Sequence, residues 1–433
     1  MARPFGRAVK VEGGRGMILL SMHSGNWELS NLVGSMSGHP YSMVANYLGH
    51  INQVADFLDS LRQSAGCHII NPGIGGREII RRLKKNEIVT LVVDQGGEDG
   101  ILIPFFGREA SMSTGAVRIA LKYDVPICMV NIHRVKGSRH YLIVKPFELA
   151  RTGDDEEDVR VNLVRLLRQY EAWIDEHPHE YIWFYKTWKH APQRQVVVLD
   201  DGRTGHLRQS ETVREELRCL LSEAGLTMES RSIRVEYKSV LHAWILGMLA
   251  SVRGYFPVIG GLGFLRFFLT PLTFENVFCS QPDVVISCGA RNAAVNAWLA
   301  HNNKAKSIAI LRPGTVPFRD LDLLILPQHD VTEDKLPPHV LVTKAALNLI
   351  DRFYIEENVR RLLSRFSHLK LNLKPKIGVL IGGDTKSARM TEQQVRIIVH
   401  QLKEIAGKYN ADFLITTSRR TSPQIEQLLV KEF

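Results

Sequence analysis

The sequence has few cysteines and no cysteine pair. Its 433 residues include five cysteines, all well separated, and no Cys-x-x-Cys spacing occurs. An odd number of isolated thiols argues against a disulfide framework and against a cysteine-ligated zinc site. We therefore expect a reducing, cytosolic environment.

Long apolar runs are also absent. A membrane-spanning helix needs about 18 consecutive apolar residues, and the nearest stretch, Ser239 to Val252, is followed directly by Arg253. The first apolar run, Met17 to Met22, ends in a histidine, which is not the form of a signal peptide. These patterns predict a soluble or peripheral protein.

Charge is nearly balanced in the first half and basic in the second. The formal charge of +10 divides into +2 for residues 1–192 and +8 for residues 193–433. A basic second half suits anionic partners such as phospholipid headgroups or nucleotide phosphates, and it is equally compatible with a merely soluble surface. Because no recognition motif for nucleic acid accompanies the charge, nucleic acid is not an expected partner.

Apolar, β-rich runs alternate with helix-like stretches along the chain, which predicts an α/β fold with a largely buried sheet. A polar linker at residues 190–195 separates two such regions. We place one domain at 1–192 and a second region at 193–433, whose last part, from about residue 374, begins a further α/β unit.

The first candidate site is the hexapeptide His23-Ser-Gly-Asn-Trp-Glu28, which follows the strand-like run MILLSM. Open α/β sheets keep their active sites at the carboxyl ends of strands. Glu28 could accept a hydrogen bond from one ring nitrogen of His23, leaving the other nitrogen to take a proton from a substrate hydroxyl. Such a pair, without a serine or cysteine nucleophile, implies direct attack of the acceptor on an activated ester.

This hexapeptide resembles the acyltransfer motif of the lysophospholipid acyltransferase superfamily, in particular the lauroyl/myristoyl branch that completes lipid A. The resemblance extends to about residue 192. It also includes Asp94-Gln95, Ile103 to Gly107, Ser111 to Thr114, Pro126, Glu171, Pro178, Trp183 and Trp188-Lys189.

The resemblance implies roles for several residues and a substrate class. His23 would be the general base and Glu28 its orienting partner. Asp94 and Gln95 would form part of the pocket wall, with Asn26 and Arg77 as further substrate-binding candidates. The acyl donor would be acyl carrier protein or acyl-CoA, and the acceptor a lipid A precursor or lysolipid. No bound cofactor or metal is expected, and the location would be peripheral, at the cytoplasmic face of the bacterial inner membrane.

Two features depart from that family. Many of its members carry a Tyr-Arg pair where this chain has Asn46-Tyr47-Leu48. The motif strand also begins near residue 17, whereas the family has a membrane anchor and several helices upstream. We therefore expect an N-terminally partial domain.

In the second half, the loop Asp201-Gly-Arg-Thr-Gly-His206 joins a strand to a helix. Gly202 and Gly205 would allow backbone N–H groups to approach a phosphate. The spacing is not that of a dinucleotide-binding fingerprint, so a tight structural turn is an alternative.

This loop belongs to a series of motifs that resembles the bacterial relatives of the plant "elongated mitochondria" family, whose fold is similar to two-domain GT-B glycosyltransferases. The series also includes Ser287 to Arg291, Leu311 to Gly314, Pro327 to Asp330, Ile381 to Thr385 and Thr417 to Thr421. We expect the second GT-B domain to be incomplete. Its candidates for diphosphate contact are Gly382, Gly383, Ser418 and Arg419.

Three functional hypotheses follow. The first is an acyltransferase of envelope glycolipid synthesis. The second is an idle acyltransferase remnant that binds membranes or partners through the aromatic segment Ser239 to Phe278, although that segment could equally pack in a core. The third is a nucleotide-sugar glycosyltransferase-like protein. His329 and Asp330 are better explained as a strand-end turn than as a base.

Overall fold

A computed structural model describes residues 16–36, 38–45, 52–71, 75–183, 185–252, 261–367, 369, 374–384, 389–418 and 420–433. The chain divides into two compact units, Met1–Ala346 and Leu347–Phe433. The architecture is mixed α/β with parallel sheets, which confirms the predicted fold class. Among the described helices, none combines the length and apolar character required to cross a bilayer.

In the described residues, a six-stranded sheet forms the centre of the first half of unit 1, in the order β3-β2-β4-β1-β7-β8. Its strands are β1 (Met17–Ser21), β2 (Tyr41–Val44), β3 (Cys67–Ile70), β4 (Ile88–Val92), β7 (Ile127–Lys136) and β8 (Arg139–Phe147). All neighbours are parallel except β7 and β8, which form a hairpin. A separate antiparallel hairpin, not predicted from the sequence, consists of β5 (Ile101–Phe105) and β6 (Arg108–Met112).

Strand β1 is central, which explains its uninterrupted apolar sequence. All five of its residues are buried. Ile18 and Leu20 contribute to the hydrophobic core on one face of the sheet, and Met17 and Leu19 to the core on the other. A strand covered on both faces cannot show the polar alternation of a surface strand.

Helices cover this sheet and supply most of the remaining core. They are α1 (Trp27–Ser35), α2 (Asn52–Ser64), α3 (Gly75–Lys84), α4 (Gly115–Tyr123) and α5 (Asp155–Glu176). Helix α5 begins where Asp154 accepts hydrogen bonds from the backbone amides of Glu156 and Glu157. Its buried face, which includes Leu163 and Tyr170, packs in the same core as Ile18 and Leu20.

In the second half of unit 1, the described strands form a fully parallel six-stranded sheet in the order β10-β9-β11-β12-β13-β14. They are β9 (Gln193–Asp200), β10 (Thr227–Arg234), β11 (Val284–Cys288), β12 (Lys306–Ile310), β13 (Leu323–Pro327) and β14 (Val340–Thr343). The helices are α6 (Thr204–Glu223), α7 (Val240–Val252), α8 (Pro271–Phe278) and α9 (Ala290–Asn303). The strand order reverses between β9 and β11, where open α/β sheets form a crevice.

Unit 2 is a smaller α/β assembly. Helix α10 (Arg352–Arg365) precedes the parallel pair β15 (Lys376–Ile381) and β16 (Asp412–Thr417). Helices α11 (Glu392–Tyr409) and α12 (Pro423–Glu432) pack on this pair through Val395, Val399 and Ile425. The predicted domain boundaries, at residue 192 and near residue 374, stay predictions.

We predict that Leu20→Ala lowers the free energy of unfolding by about 2–5 kcal/mol, because truncating a fully buried leucine leaves a cavity. Leu61→Ala, on the exposed side of α2, should cost less than about 1 kcal/mol. Urea denaturation followed by circular dichroism measures both variants. Equal losses would show that β1 is not at the centre of the core.

Candidate active site

The corner between β1 and α1 holds His23 in a fixed position. The backbone amide of Ile182 donates to the His23 carbonyl at 3.2 Å, and the amide of Gly25 donates to the Glu180 carbonyl at 2.9 Å. Gly25 has a φ of +61°, and an added Cβ would overlap the carbonyl oxygen of Ile132. Only glycine fits this turn without displacing strand β7.

Asp94 contacts the imidazole of His23. The distance between His23 Nδ1 and Asp94 Oδ1 is 2.9 Å, and the His23 backbone amide donates to Asp94 Oδ2 at 3.1 Å. The Asp94 side chain is 1% exposed and the His23 side chain 19% exposed. Because a carboxylate only accepts, this contact assigns the proton to Nδ1 and leaves Nε2 as an acceptor.

Tyr181 supports the carboxylate from the other side. Its hydroxyl donates to Asp94 Oδ2 at 3.3 Å. Burial raises the pKa of Tyr181 well above its ordinary value, and the Asp94 charge adds to the effect. The phenol therefore stays a neutral donor, and Asp94 receives three hydrogen bonds from His23 and Tyr181.

Glu28 does not occupy the position that we expected for it. The arginine of α2, Arg62, donates from Nε to Glu28 Oε2 at 3.0 Å and from Nη2 to Glu28 Oε1. The same guanidinium pairs with Asp59 at 2.6 Å. Glu28 thus ties α1 to α2, while Asp94 is the residue on His23 Nδ1. Whether Glu28 also contributes to catalysis stays a prediction.

The other predicted residues of this half, Asn26, Gln95 and Arg77, have no hydrogen bond with His23 among the contacts of the described residues. Asn26 caps α1 by accepting from the Leu29 amide at 3.1 Å, and it also lines a cleft beside the corner. Gln95 follows Asp94 directly and is half-buried. Arg77 is exposed on α3. Their roles in substrate binding stay predictions, and residues 46–48 lie outside the described residues.

Aromatic side chains form a cluster next to Tyr181. The ring centroid of Tyr181 lies 5.9 Å from that of Phe105 and 4.8 Å from that of Trp183. Trp183 also contacts Phe106 and stacks on Trp188. Since Phe106 is half-buried and Trp183 is exposed, this cluster presents an apolar surface near the corner.

The glycine loop of the second half contains another histidine–aspartate pair. His206 Nδ1 lies 2.9 Å from Asp201 Oδ2, and the two side chains are 19% and 1% exposed, as in the first pair. An added Cβ on Gly289 would lie 2.7 Å from His206 Cε1, so the glycine after β11 makes room for the ring. The pair therefore lies at the strand-order reversal between β9 and β11.

The predicted phosphate contacts of this loop are also located. Gly202 has a φ of +87°, and its amide donates to Asp200 Oδ1 at 2.7 Å. Gly205 lies in the first turn of α6, where no atom of the described residues outside this helix's backbone comes within 4 Å of an added Cβ. A phosphate at either glycine stays a prediction.

In unit 2, Thr421 joins the loops that follow β15 and β16. Its hydroxyl donates to the Gly382 carbonyl at 2.9 Å and accepts from the Ser418 amide at 3.0 Å. Gly383 packs against the backbone of Arg420. These contacts bring Gly382, Gly383 and Ser418 together, whereas Arg419 lies outside the described residues. Diphosphate binding by this group stays a prediction.

The aromatic segment Ser239–Phe278 divides between core and surface. Leu246, Leu265 and Phe268 are buried in the second core. On α7, Val240, Leu241, Trp244 and Met248 are exposed, and their spacing places them on one face of the helix. His329 and Asp330 form a short exposed turn after β13. His329 Nε2 lies 3.9 Å from Asp330 Oδ1.

Comparison with known families gives two matches. Residues 204–433, more than half of the chain, match the family model described as mitochondrial fission ELM1. Residues 9–190 match the model described as bacterial lipid A biosynthesis acyltransferase. Both resemblances drawn from the sequence are confirmed.

Similar proteins occur in several bacteria. "Uncharacterized protein RP120" of Rickettsia prowazekii (strain Madrid E) is 25% identical over 54% of this chain and 67% of its own length. The phosphatidylinositol mannoside acyltransferase of Mycolicibacterium smegmatis is 26% identical over 26% of this chain and 38% of its own length. The lipid A biosynthesis palmitoleoyltransferase of Escherichia coli (strain K12) is 24% identical over 41% and 57%. The chain spans less than two thirds of the length of both named acyltransferases.

We predict that Gly25→Ala costs more than about 3 kcal/mol of stability, because the methyl group overlaps Ile132 in a backbone conformation that favours glycine. Gly137→Ala is the matched control. Its φ is +58° and, in the described part of the chain, nothing lies within 4 Å of an added Cβ, so the substitution should cost about 1–2 kcal/mol. Thermal unfolding of both variants measures the difference, and equal costs would contradict the packing of this corner.

Proposed function

The chain belongs to the mitochondrial fission ELM1 family and contains a lipid A acyltransferase-type domain ahead of the ELM1 region, and we propose that this domain moves a fatty acyl chain from a thioester to a hydroxyl of a glycolipid or lysolipid. The observation that carries the proposal is the 2.9 Å contact between His23 Nδ1 and Asp94. This contact leaves His23 Nε2 as a proton acceptor at the carboxyl ends of the parallel strands, where substrates of α/β enzymes bind.

In the proposed reaction, His23 Nε2 takes the proton of the acceptor hydroxyl. The hydroxyl oxygen then attacks the thioester carbonyl carbon and forms the new C–O bond. Collapse of the tetrahedral intermediate breaks the C–S bond, and the imidazolium returns its proton to the departing sulfur. Asp94 keeps the tautomer and stabilises the imidazolium while it exists.

The donor would be acyl carrier protein or acyl-CoA, with no bound cofactor. The acceptor would be a lipid A precursor or a lysolipid. The exposed apolar face of α7 supports peripheral attachment to a membrane surface, at the cytoplasmic side of a bacterial inner membrane. The aromatic cluster of Phe105, Phe106, Trp183 and Trp188 supports a binding surface for the acyl chain.

We predict that His23→Ala abolishes transfer of labelled acyl chains from acyl carrier protein or acyl-CoA to a panel of lipid A precursors and lysophospholipids. Asp94→Asn should lower kcat by about 10²–10⁴-fold, because an amide no longer fixes and stabilises the charged imidazole. Glu28→Gln should retain activity within about tenfold, since its contacts are with Arg62.

His68→Ala, which removes an exposed histidine of β3, is the control. Transfer that survives His23→Ala would exclude the general-base role. A larger loss in Glu28→Gln than in Asp94→Asn would restore Glu28 as the orienting residue. A folded wild-type protein without transfer to any acceptor would favour the idle, membrane-binding module instead.

The second half supports a separate candidate function, transfer of a sugar from a nucleotide donor. The observation that favours it is the His206–Asp201 pair at the strand-order reversal. His206 could accept a proton from an attacking hydroxyl or water there. Gly202 and the loops after β15 and β16 would be the sites to examine for phosphate contact.

We predict that the chain releases nucleoside diphosphate from one member of a nucleotide-sugar panel and that His206→Ala lowers the release at least about 100-fold. His329→Ala is the matched control, because His329 is an exposed histidine of the same half. A coupled assay for nucleoside diphosphate measures both. Equal release by wild type and His206→Ala would exclude the role.

A further inference from the structure

A cleft of about 600 Å³ opens beside the His23 corner, and the reaction steps described above assign it no role. Trp27 connects the two, because its ring meets the His23 ring edge-on with centroids 5.2 Å apart and also lines the cleft. We call this space the basic cleft. Its lining residues are Gly25, Asn26, Trp27, Glu28, Arg134, Val135, Lys136, His140, His179 and Glu180.

The carboxylates of the basic cleft are already engaged. Glu28 is paired with Arg62. Glu180 accepts from the backbone amide of Arg134 at 3.0 Å and 3.2 Å, and it lies 3.9 Å from His179. Neither carboxylate is held by the side chain of Arg134 or Lys136.

The cations of the cleft, Arg134 and Lys136, are not compensated in this way by any described carboxylate. Arg134 and Lys136 are exposed at the end of β7, and within the part of the chain that the structure describes neither side chain has a carboxylate partner. In formal charge these two cations equal the two carboxylates of the lining, Glu28 and Glu180, and the Arg62 that pairs with Glu28 also pairs with Asp59. An anion would therefore find, on one strand, two cations that no described carboxylate holds.

His140 adds a polar atom that lacks a partner. Its Nδ1 lies 3.1 Å from the Ser138 carbonyl, which requires a proton on Nδ1. Its Nε2 is buried without a hydrogen bond among the described residues. Buried polar atoms in native proteins are normally satisfied, and His140 is one of the residues that line the cleft.

The size and lining of the cleft indicate a headgroup rather than an acyl chain. A volume of about 600 Å³ lies within the range of small-molecule sites and exceeds the needs of a lone phosphate. Apart from Trp27 and Val135, the lining side chains are polar or absent. The aromatic cluster around Phe106 and Trp183 is not part of this lining.

We propose that the basic cleft binds the phosphate-bearing headgroup of the acyl acceptor, with Arg134 and Lys136 on the phosphate and the acceptor hydroxyl directed past Trp27 toward His23. The inference rests on the proposed acyl transfer and names its acceptor class. Phosphate esters also occur in the donor, in coenzyme A and in the carrier's phosphopantetheine, so the experiment separates the two sources.

The test is Arg134→Ala/Lys136→Ala in the full chain, with one acyl donor and two acceptors that differ only in the presence of the phosphate. For the phosphorylated acceptor, KM should rise about 10–100-fold with kcat within about threefold, since the lost contacts bind the headgroup in ground and transition states alike. For the phosphate-free acceptor, KM should change less than about threefold. Both side chains are exposed, so the fold should be unaffected.

Arg139→Ala is the matched control. Arg139 is an exposed arginine of the same hairpin, where it is the register partner of Lys136, and it does not line the cleft. If KM for the phosphorylated acceptor rose as much in Arg139→Ala as in Arg134→Ala/Lys136→Ala, general surface charge would explain the effect. A rise in the KM of the donor alone, with either acceptor, would assign the cleft to the donor. Both results overturn the proposal.

A binding measurement separates this proposal from the acyl-transfer function. Glucosamine 1-phosphate and glucosamine are titrated calorimetrically into the wild-type and the Arg134→Ala/Lys136→Ala proteins. Wild-type binding of the phosphorylated sugar only, lost in the variant, supports the cleft even if no acyl transfer is found. Transfer that depends on His23, with unchanged KM and binding in the variant, would leave the function standing and exclude the cleft.

Discussion

The parallel pairing of β1 with β4 is the constraint on which the candidate acyltransferase site depends. Ser21 is the register partner of Val92, and His23 and Asp94 each follow two residues later. Side chains alternate between the faces of a sheet, so a slip of one residue would separate the imidazole from the carboxylate. The buried core around Ile18 and Leu20 holds the register, and thereby holds the geometry of the His23–Asp94 pair.

Further contacts hold both members of the His23–Asp94 pair in place. Tyr181 holds Asp94 from the segment after α5, and the backbone of Glu180 and Ile182 holds the turn at Gly25 and His23. The second histidine–aspartate pair is built differently, since Asp201 and His206 belong to one loop and need only the turn before α6. One chain thus reaches the same local arrangement by a long-range and by a short-range route.

Features that depend on neighbouring residues in the sequence were easier to predict than contacts between residues far apart in the chain. The strand-to-helix corner at His23, the α/β class and both families followed from local patterns. Glu28 was the obvious partner because it lies five residues away, but Arg62 draws it to α2. Asp94, 71 residues away in sequence, was expected only in the pocket wall, and the order of the strands makes it the neighbour of His23.

The sequence by itself determined the alternation of strands and helices, the histidine at a strand end and the two family resemblances, because apolar periodicity and contiguous motifs are local properties. Only the tertiary structure decided which carboxylate contacts His23 and that Arg134 and Lys136 have no carboxylate partner among the described residues. Sheet order and side-chain packing bring together residues far apart in the chain, and no spacing in the sequence records that distance.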